Sequence, residues 1–352
     1  MAQRAKEVEI RICVFRRRGI RVSVRRATRP TPRPCYNRGL RVTVPAFAKL
    51  NLDLRVLSKR PDGYHELRTI FQTISLHDTL HIESTRAKRT QIELDSSIEI
   101  ADNLVVRAAK LVLDHLKLNA HIRFTLKKQI PMGAGMGGGS SNAAATLIAL
   151  SALAGRPIPF AQLSALAETL GSDVPFFLHG GTALGLGRGT ELHPLPDLPQ
   201  HHAVVVSTGI HVSTAEAYRA LERSVTNALT SASDSPILRE FQAITWKLES
   251  ASLKQLPLKN DFEPVVFQTH PELAAVVRKL RRLGAKPAMM TGSGSAIFGV
   301  FGSGAEARQA AESFRAGRTY PVRFVNRRQY RTLWRRALGS AAEASCFATS
   351  ND

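Results

Sequence analysis

Five glycines fall within seven residues, Gly133, Gly135, Gly137, Gly138 and Gly139, inside Pro131-Met132-Gly133-Ala134-Gly135-Met136-Gly137-Gly138-Gly139-Ser140-Ser141. Before them, residues 121–128 alternate apolar and polar side chains as a strand does. After them, Asn142 opens an Ala/Leu-rich run to Ala154 of helical character. Strand, glycine loop and helix start together turn backbone N–H groups into an anion cradle, with the positive end of the helix dipole behind it. Glycine suits such a loop because the backbone needs unusual dihedrals and a phosphate must approach with no Cβ in the way. The loop lacks the Gly-Lys-Ser/Thr ending of the P-loop NTPases. Gly133, Gly135 and Gly138 do form Gly-x-Gly-x-x-Gly, but the acid expected about 20 positions on is missing, the first being Glu168. A ligand-free turn is the bland alternative, at a large entropic cost for a connector.

The length of 352 residues allows two domains, each expected to close its own core. No apolar run approaches the roughly 18 residues of a membrane span. The formal charge of +21 is unevenly placed: net +11 over residues 1–41 and net +7 over 42–325. The basic head, with Arg16-Arg17-Arg18 and a Pro-rich stretch to Pro34, has no apolar core for a secretory signal. Three readings of it stand: an organelle transit peptide, a nucleic-acid arm, or a disordered extension from an early start. Cys13, Cys35 and Cys346 all lie in the tails, which excludes thiol catalysis and a core disulfide. A reducing, cytoplasmic compartment fits, or a plastid if the head is a transit peptide.

Along the body, residues 42–56 read as a strand on which Lys49 and Asn51 share a face. Pro61-Asp62-Gly63 marks a turn, and strands are expected over 67–76 and 79–83. Asp102-Asn103 caps a helix over 104–116; helices follow at 140–154 and 161–170, the latter stopped by Gly171. Residues 180–189 read as a turn-bounded strand, and three prolines within 194–199 mark a hinge. Beyond it come a buried strand at 203–206, a helix at 214–223 and a weakly structured stretch at 224–235. A helical segment then runs from 263 to 283, with strand, tight turn and strand at 288–301, a helix at 305–316 and a strand at 322–325.

Three separated pieces, Pro45–Leu52, the loop 131–141 and Thr291-Gly292-Ser293-Gly294-Ser295-Ala296, occur in the order seen in one family. The chain resembles the GHMP small-molecule kinases. Within them, Arg60-Pro61-Asp62-Gly63-Tyr64-His65 and Leu170-Gly171-Ser172-Asp173-Val174-Pro175-Phe176 are similar to the branch that phosphorylates a cytidine-diphosphate-linked methylerythritol, in the non-mevalonate isoprenoid pathway. The match covers roughly residues 42–326, with Phe47 where proline is common and Met136 where leucine is usual. It implies an α+β, two-domain fold: an N-terminal ribosomal-S5-like domain over 42–197, a C-terminal ferredoxin-like domain over 198–326, and the active site in the cleft between. Residues 1–41 and 327–352 are left as extension and tail.

The resemblance also implies roles. ATP, with Mg2+, is expected on the backbone of Pro131 to Ser141, with the Ser140 or Ser141 hydroxyl near the phosphates or capping the helix. Asp173 is the expected general base and Lys49 its partner, steadying the developing alkoxide. Asn51 is expected on the erythritol hydroxyls, Tyr64 and His65 on the cytosine, and Tyr218 on the other face of that base, unless it is a core tyrosine. Thr291 and Gly292 would approach from the second domain, or simply form a tight turn. Asp62 reads as a turn cap. A homoserine- or mevalonate-type kinase is the neighbouring alternative; a nucleic-acid-binding protein, resting on the Arg-rich tails, is the alternative from another class. A membrane partner is not expected, and monomer or homodimer is left open.

Overall fold

The computed structural model describes residues 39–98, 102–225, 242–244, 247–248 and 253–347. The basic head up to residue 38, with Cys13 and Cys35, and residues 226–235 of the Ser/Thr-rich stretch lie outside them.

The first sheet is built on two long antiparallel strands, β1 (Leu40–Lys59) and β2 (His65–Arg86), joined at the Pro61-Asp62-Gly63 turn. The other edge of β2 pairs first with β5 (Thr182–Gly187) and then with β4 (Ala120–Lys127). β3 (Gln91–Ser96) adds in parallel to β4, and β6 (Glu191–Pro194) antiparallel to β5. Two strands were expected where β2 is one. Asp78 interrupts the apolar pattern, but its carboxylate is fully buried and satisfied by neighbours, so the strand runs through it.

Against this sheet lie α1 (Leu104–Leu116), α2 (Gly138–Leu153), α3 (Phe160–Leu170) and the single turn α4 (Phe176–His179). Asn103 caps α1 as expected, its side chain accepting from Val105 N at 3.0 Å.

The second sheet has the strand order β10-β7-β9-β8, all antiparallel, from β7 (His202–Ser207), β8 (Ala288–Met290), β9 (Ile297–Phe301) and β10 (Arg318–Arg323). α5 (Thr214–Val225), α6 (Glu263–Thr269), α7 (Pro271–Arg282) and α8 (Gly304–Glu312) belong to this half. The order and the β-α-β-β-α-β succession are those of a ferredoxin-like unit. The single helix expected over 263–283 is two, because Pro271 has no N–H to continue α6 and instead starts α7 at its first position. The last strand lies a few residues earlier than the expected 322–325.

Alternation along the strands shows how the layers stack. Ala203 and Val205 of β7 face the first sheet, among Leu50, Ile70 and Phe298, while Val204 and Val206 face α7 and α8, among Leu273 and Ala307. The order is helices, sheet, sheet, helices. The two halves therefore share a core between their sheets, where separate cores were expected.

Residues 327–352, set aside as a tail, contain α9 (Arg327–Leu338). Asn326 and Gln329 form a reciprocal capping box. Tyr330, Trp334 and Leu338, one turn apart, are buried with Phe47 and Phe177 in the first sheet's helical layer. Cys346 packs there too, and burial pushes its thiol up to about 12. No helix among the described residues is long and apolar enough to cross a membrane.

Candidate active site

The glycine loop leaves β4 and is fixed by Asp78. That carboxylate accepts from Gln129 N at 2.7 Å, Ile130 N at 2.8 Å and Asn142 Nδ2 at 2.9 Å, and pairs with Lys128 Nζ. The start of the loop and the first turn of α2 are thereby tied to one buried anion. Gly135 and Gly137 have φ of +77° and +69°. A Cβ at Gly135 would lie 2.2 Å from the Thr291 carbonyl oxygen, and one at Gly137 would lie 2.9 Å from the Phe177 ring.

α2 begins at Gly138, earlier than expected, with Gly137 as N-cap and no side chain capping it. Ser140 and Ser141 are thus inside the helix, Ser141 buried and Ser140 half-buried. The uncapped N–H groups of the first turn remain available to an anion. Ala134 and Met136 bury their side chains in the core between the sheets, so only their backbone can serve a ligand; Met132 and Gly133 are exposed and Pro131 half-buried.

Beneath the loop, Lys49 N donates to Met136 O at 3.1 Å, which brings β1 against it. Lys49 Nζ lies 3.4 Å from Asp173 Oδ2, the lysine buried and the carboxylate one-third exposed. The same ammonium donates to Asn51 Oδ1 at 2.5 Å and sits 5.4 Å from the Phe71 ring centroid. Asn51 Nδ2 donates to Thr69 Oγ1 at 2.7 Å, and Asn51 N donates to Thr291 Oγ1 at 3.0 Å. Asn51 and Thr291 are therefore held in a buried cross-tie between the sheets. Gly292 lies against Gly135, and Ala296 N donates to Ala134 O at 3.2 Å. The tight turn is present, and it packs against the glycine loop.

The aromatic residues divide. His65 stacks on Tyr218, ring centroids 4.6 Å apart at 24°, and Tyr218 meets Phe262 edge-on. Tyr64 stays on the outer side, half exposed, with the Arg188 guanidinium 4.1 Å over its ring. His65, not a gap for a base, faces Tyr218, so the structure does not oppose Tyr64 and Tyr218. Burial, with the nearby Asp173 charge, pushes the Tyr218 hydroxyl up to about 12. Asp62 accepts from Tyr64 N and pairs with Arg188 at 2.8 Å, as a turn cap should.

A cavity of about 400 Å3 collects Lys49, Asp173, Tyr218 and the glycines of both loops. A larger one, about 960 Å3, lies between α7 and residues 253–264 and holds none of the expected site residues. Sequence reasoning missed Asp78, Thr69, Arg188 and His211, the last three lining the smaller cavity. A lone acid in an apolar strand was the signal for Asp78; nothing local marked the others.

Residues 103–181 match the family model for the GHMP kinases N-terminal domain, and residues 238–317 that for the GHMP kinases C-terminal domain. The chain is 55% identical over 302 residues to a 4-diphosphocytidyl-2-C-methyl-D-erythritol kinase of Solibacter usitatus, covering 86% of this chain and 94% of that protein. A kinase of the same description from Moorella thermoacetica is 42% identical over 290 residues, covering 81% and 98%. Among solved structures, a 4-(cytidine 5'-diphospho)-2C-methyl-D-erythritol kinase aligns with TM-score 0.69 and 39% identity over 80% of this chain and 98% of its own. A homoserine kinase from Cytophaga hutchinsonii, at 18% identity and TM-score 0.63 over 82% and 96%, shares the fold.

Proposed function

The chain belongs to the 4-diphosphocytidyl-2-C-methyl-D-erythritol kinases, a branch of the GHMP kinases, and we propose that it moves the γ-phosphoryl group of ATP to the 2-hydroxyl of that cytidyl sugar alcohol. The observation that carries the chemistry is the Lys49–Asp173 pair, 3.4 Å apart, on the wall of the cavity that the glycine loop also lines.

In this reading the N–H groups of residues 133–139 and the first turn of α2 hold the triphosphate. Asp173 takes the proton of the acceptor hydroxyl as that oxygen bonds to the γ-phosphorus; the bond from the γ-phosphorus to the bridging oxygen breaks and ADP leaves. Lys49 faces the same carboxylate and offers positive charge to the alkoxide as it develops. Asn51 and Thr69 fix the direction of the lysine, which has no room to swing because it is buried. Phe71 closes one wall against water.

Mg2+ offsets triphosphate charge in such transfers when bound. Ser140, on the first turn of α2, and Asp173 are hard oxygen donors that suit it. Among the described residues no three His, Cys, Asp or Glu side chains form a metal cage, so phosphate oxygens and water would have to complete the shell of a bound ion.

Tyr64 and His65 form the cytosine end, with Tyr218 backing the His65 ring, and Gly292 borders the acceptor. A coupled ADP-release assay tests the reading, with the cytidyl acceptor beside homoserine and mevalonate. Turnover with the first alone is expected; turnover confined to either of the others would overturn it.

A further inference from the structure

Tyr218 and Glu222 stand four residues apart on α5, which places them on one face of that helix. Both meet His65. The ring stacks on Tyr218, and His65 Nε2 lies 3.0 Å from Glu222 Oε1. The same carboxylate oxygen lies 2.9 Å from Lys59 Nζ. Lys59 ends β1 and His65 begins β2, so one carboxylate on α5 of the second half grips both ends of the turn that carries Tyr64. His65 is well buried in this position, its side chain 12% exposed, while Glu222 is 35% exposed. The hydrogen bond from Lys59 holds the Glu222 carboxyl below its usual range, so it is an anion and only accepts.

A carboxylate accepting at Nε2 requires the hydrogen there, and a neutral imidazole then has Nδ1 as its acceptor. Cytosine presents an exocyclic amino group, a donor that such an acceptor satisfies; uracil presents an oxygen at the same place and would leave two acceptors facing each other. Resting on the cytidyl-kinase reading above, we infer that Glu222 is a positioning residue for the nucleobase end of the acceptor site, fixing the His65 tautomer and thereby selecting cytosine over uracil. Glu222 acts through His65 and touches neither ATP nor the reacting hydroxyl.

The test uses the full chain labelled with 15N-histidine at pH 8. His65 is assigned by the signal lost in His65→Gln. Wild-type protein is expected to show Nε2 protonated and Nδ1 bare, and Glu222→Ala a mixture of both tautomers. In kinetics, Glu222→Ala should raise KM for the cytidyl acceptor roughly tenfold and narrow its preference over the uridyl analogue by a similar factor. KM for ATP and kcat should stay within about twofold. Glu222→Gln keeps an oxygen at the site and should largely restore both, whereas it cannot restore the ion pair with Lys59. A tautomer pattern unchanged in Glu222→Ala, or an acceptor KM that stays level or falls, overturns the role of Glu222. Equal defects in the Ala and Gln variants also overturn it, because they point to the Lys59 pair. Failure of the wild type to turn over the cytidyl acceptor sinks the substrate reading instead, and the tautomer measurement then judges the clasp by itself.

Discussion

Two residues bear most directly on the proposed reaction. Asp173 is partly solvated and paired only at one oxygen with Lys49 in the described contacts, so Asp173→Asn keeps the shape and removes the proposed base. We expect kcat to fall by about 10^2- to 10^4-fold with KM for ATP little changed, measured by ADP release. A near-normal kcat would remove Asp173 from that role without touching the family. Gly135 is different because its constraint is steric. Gly135→Ala pushes a methyl into the Thr291 carbonyl at a φ that side chains avoid, and we expect a loss of about 1–3 kcal/mol by thermal or urea melting, with a raised KM for ATP. Glycine-loop residues were legible from sequence because their chemistry is local. Thr69 and Arg188 were not, because only the pairing of β1, β2 and β5 brings them to the cavity.

Among the elements, α9 is the instructive miss. Its signals, the Asn326–Gln329 capping box and Tyr330, Trp334 and Leu338 at helical spacing, were present in the sequence, but Arg-rich intervening positions made the segment look like a solvated tail. The arginines face outward or reach carbonyls, as Arg335 Nε does to Phe347 O at 2.7 Å, while the apolar stripe packs inward. Trp334→Ala should cost about 3–5 kcal/mol in a urea melt. This helix also explains a buried titration. Burial, with Arg327 and Arg331 of α9 adding to it, lowers His179 to about 4. The unfolded chain binds that proton near 6.5, so the stability His179 contributes is complete above 6.5 and is lost as pH falls toward 4, about 3 kcal/mol in all. Asp53 runs the other way. Burial, opposed by Arg55, raises it to about 6, so its proton favours the folded state and stability grows by about 3 kcal/mol as pH falls from 6 toward 3.8. Melts between pH 4 and 7 should therefore show little net slope from these two in the wild type. His179→Gln should gain stability toward acid and Asp53→Asn should lose it.

For the whole molecule, the fold class came with the family resemblance and most of the elements were readable from periodicity and punctuation, whereas the shared core was not. Which face of a strand meets which sheet depends on packing far apart in sequence, as when Ile70 and Phe298 join one core between the sheets. Charge is also a whole-molecule matter. Every residue placed in the site lies within 39–347, and the net +11 of the head lies before them. Removing residues 1–38 should leave the kinase turnover intact; loss of turnover would give the head a part in the reaction. The interlocking of Gly135 with Gly292 bears on ancestry and engineering alike. Because the glycine loop of one half is moulded against a bare turn of the other, neither half is a portable cassette. Swapping in the second half of a distant relative would have to match the backbone path at that one crossing to within the width of a methyl group, before any acceptor specificity could be inherited.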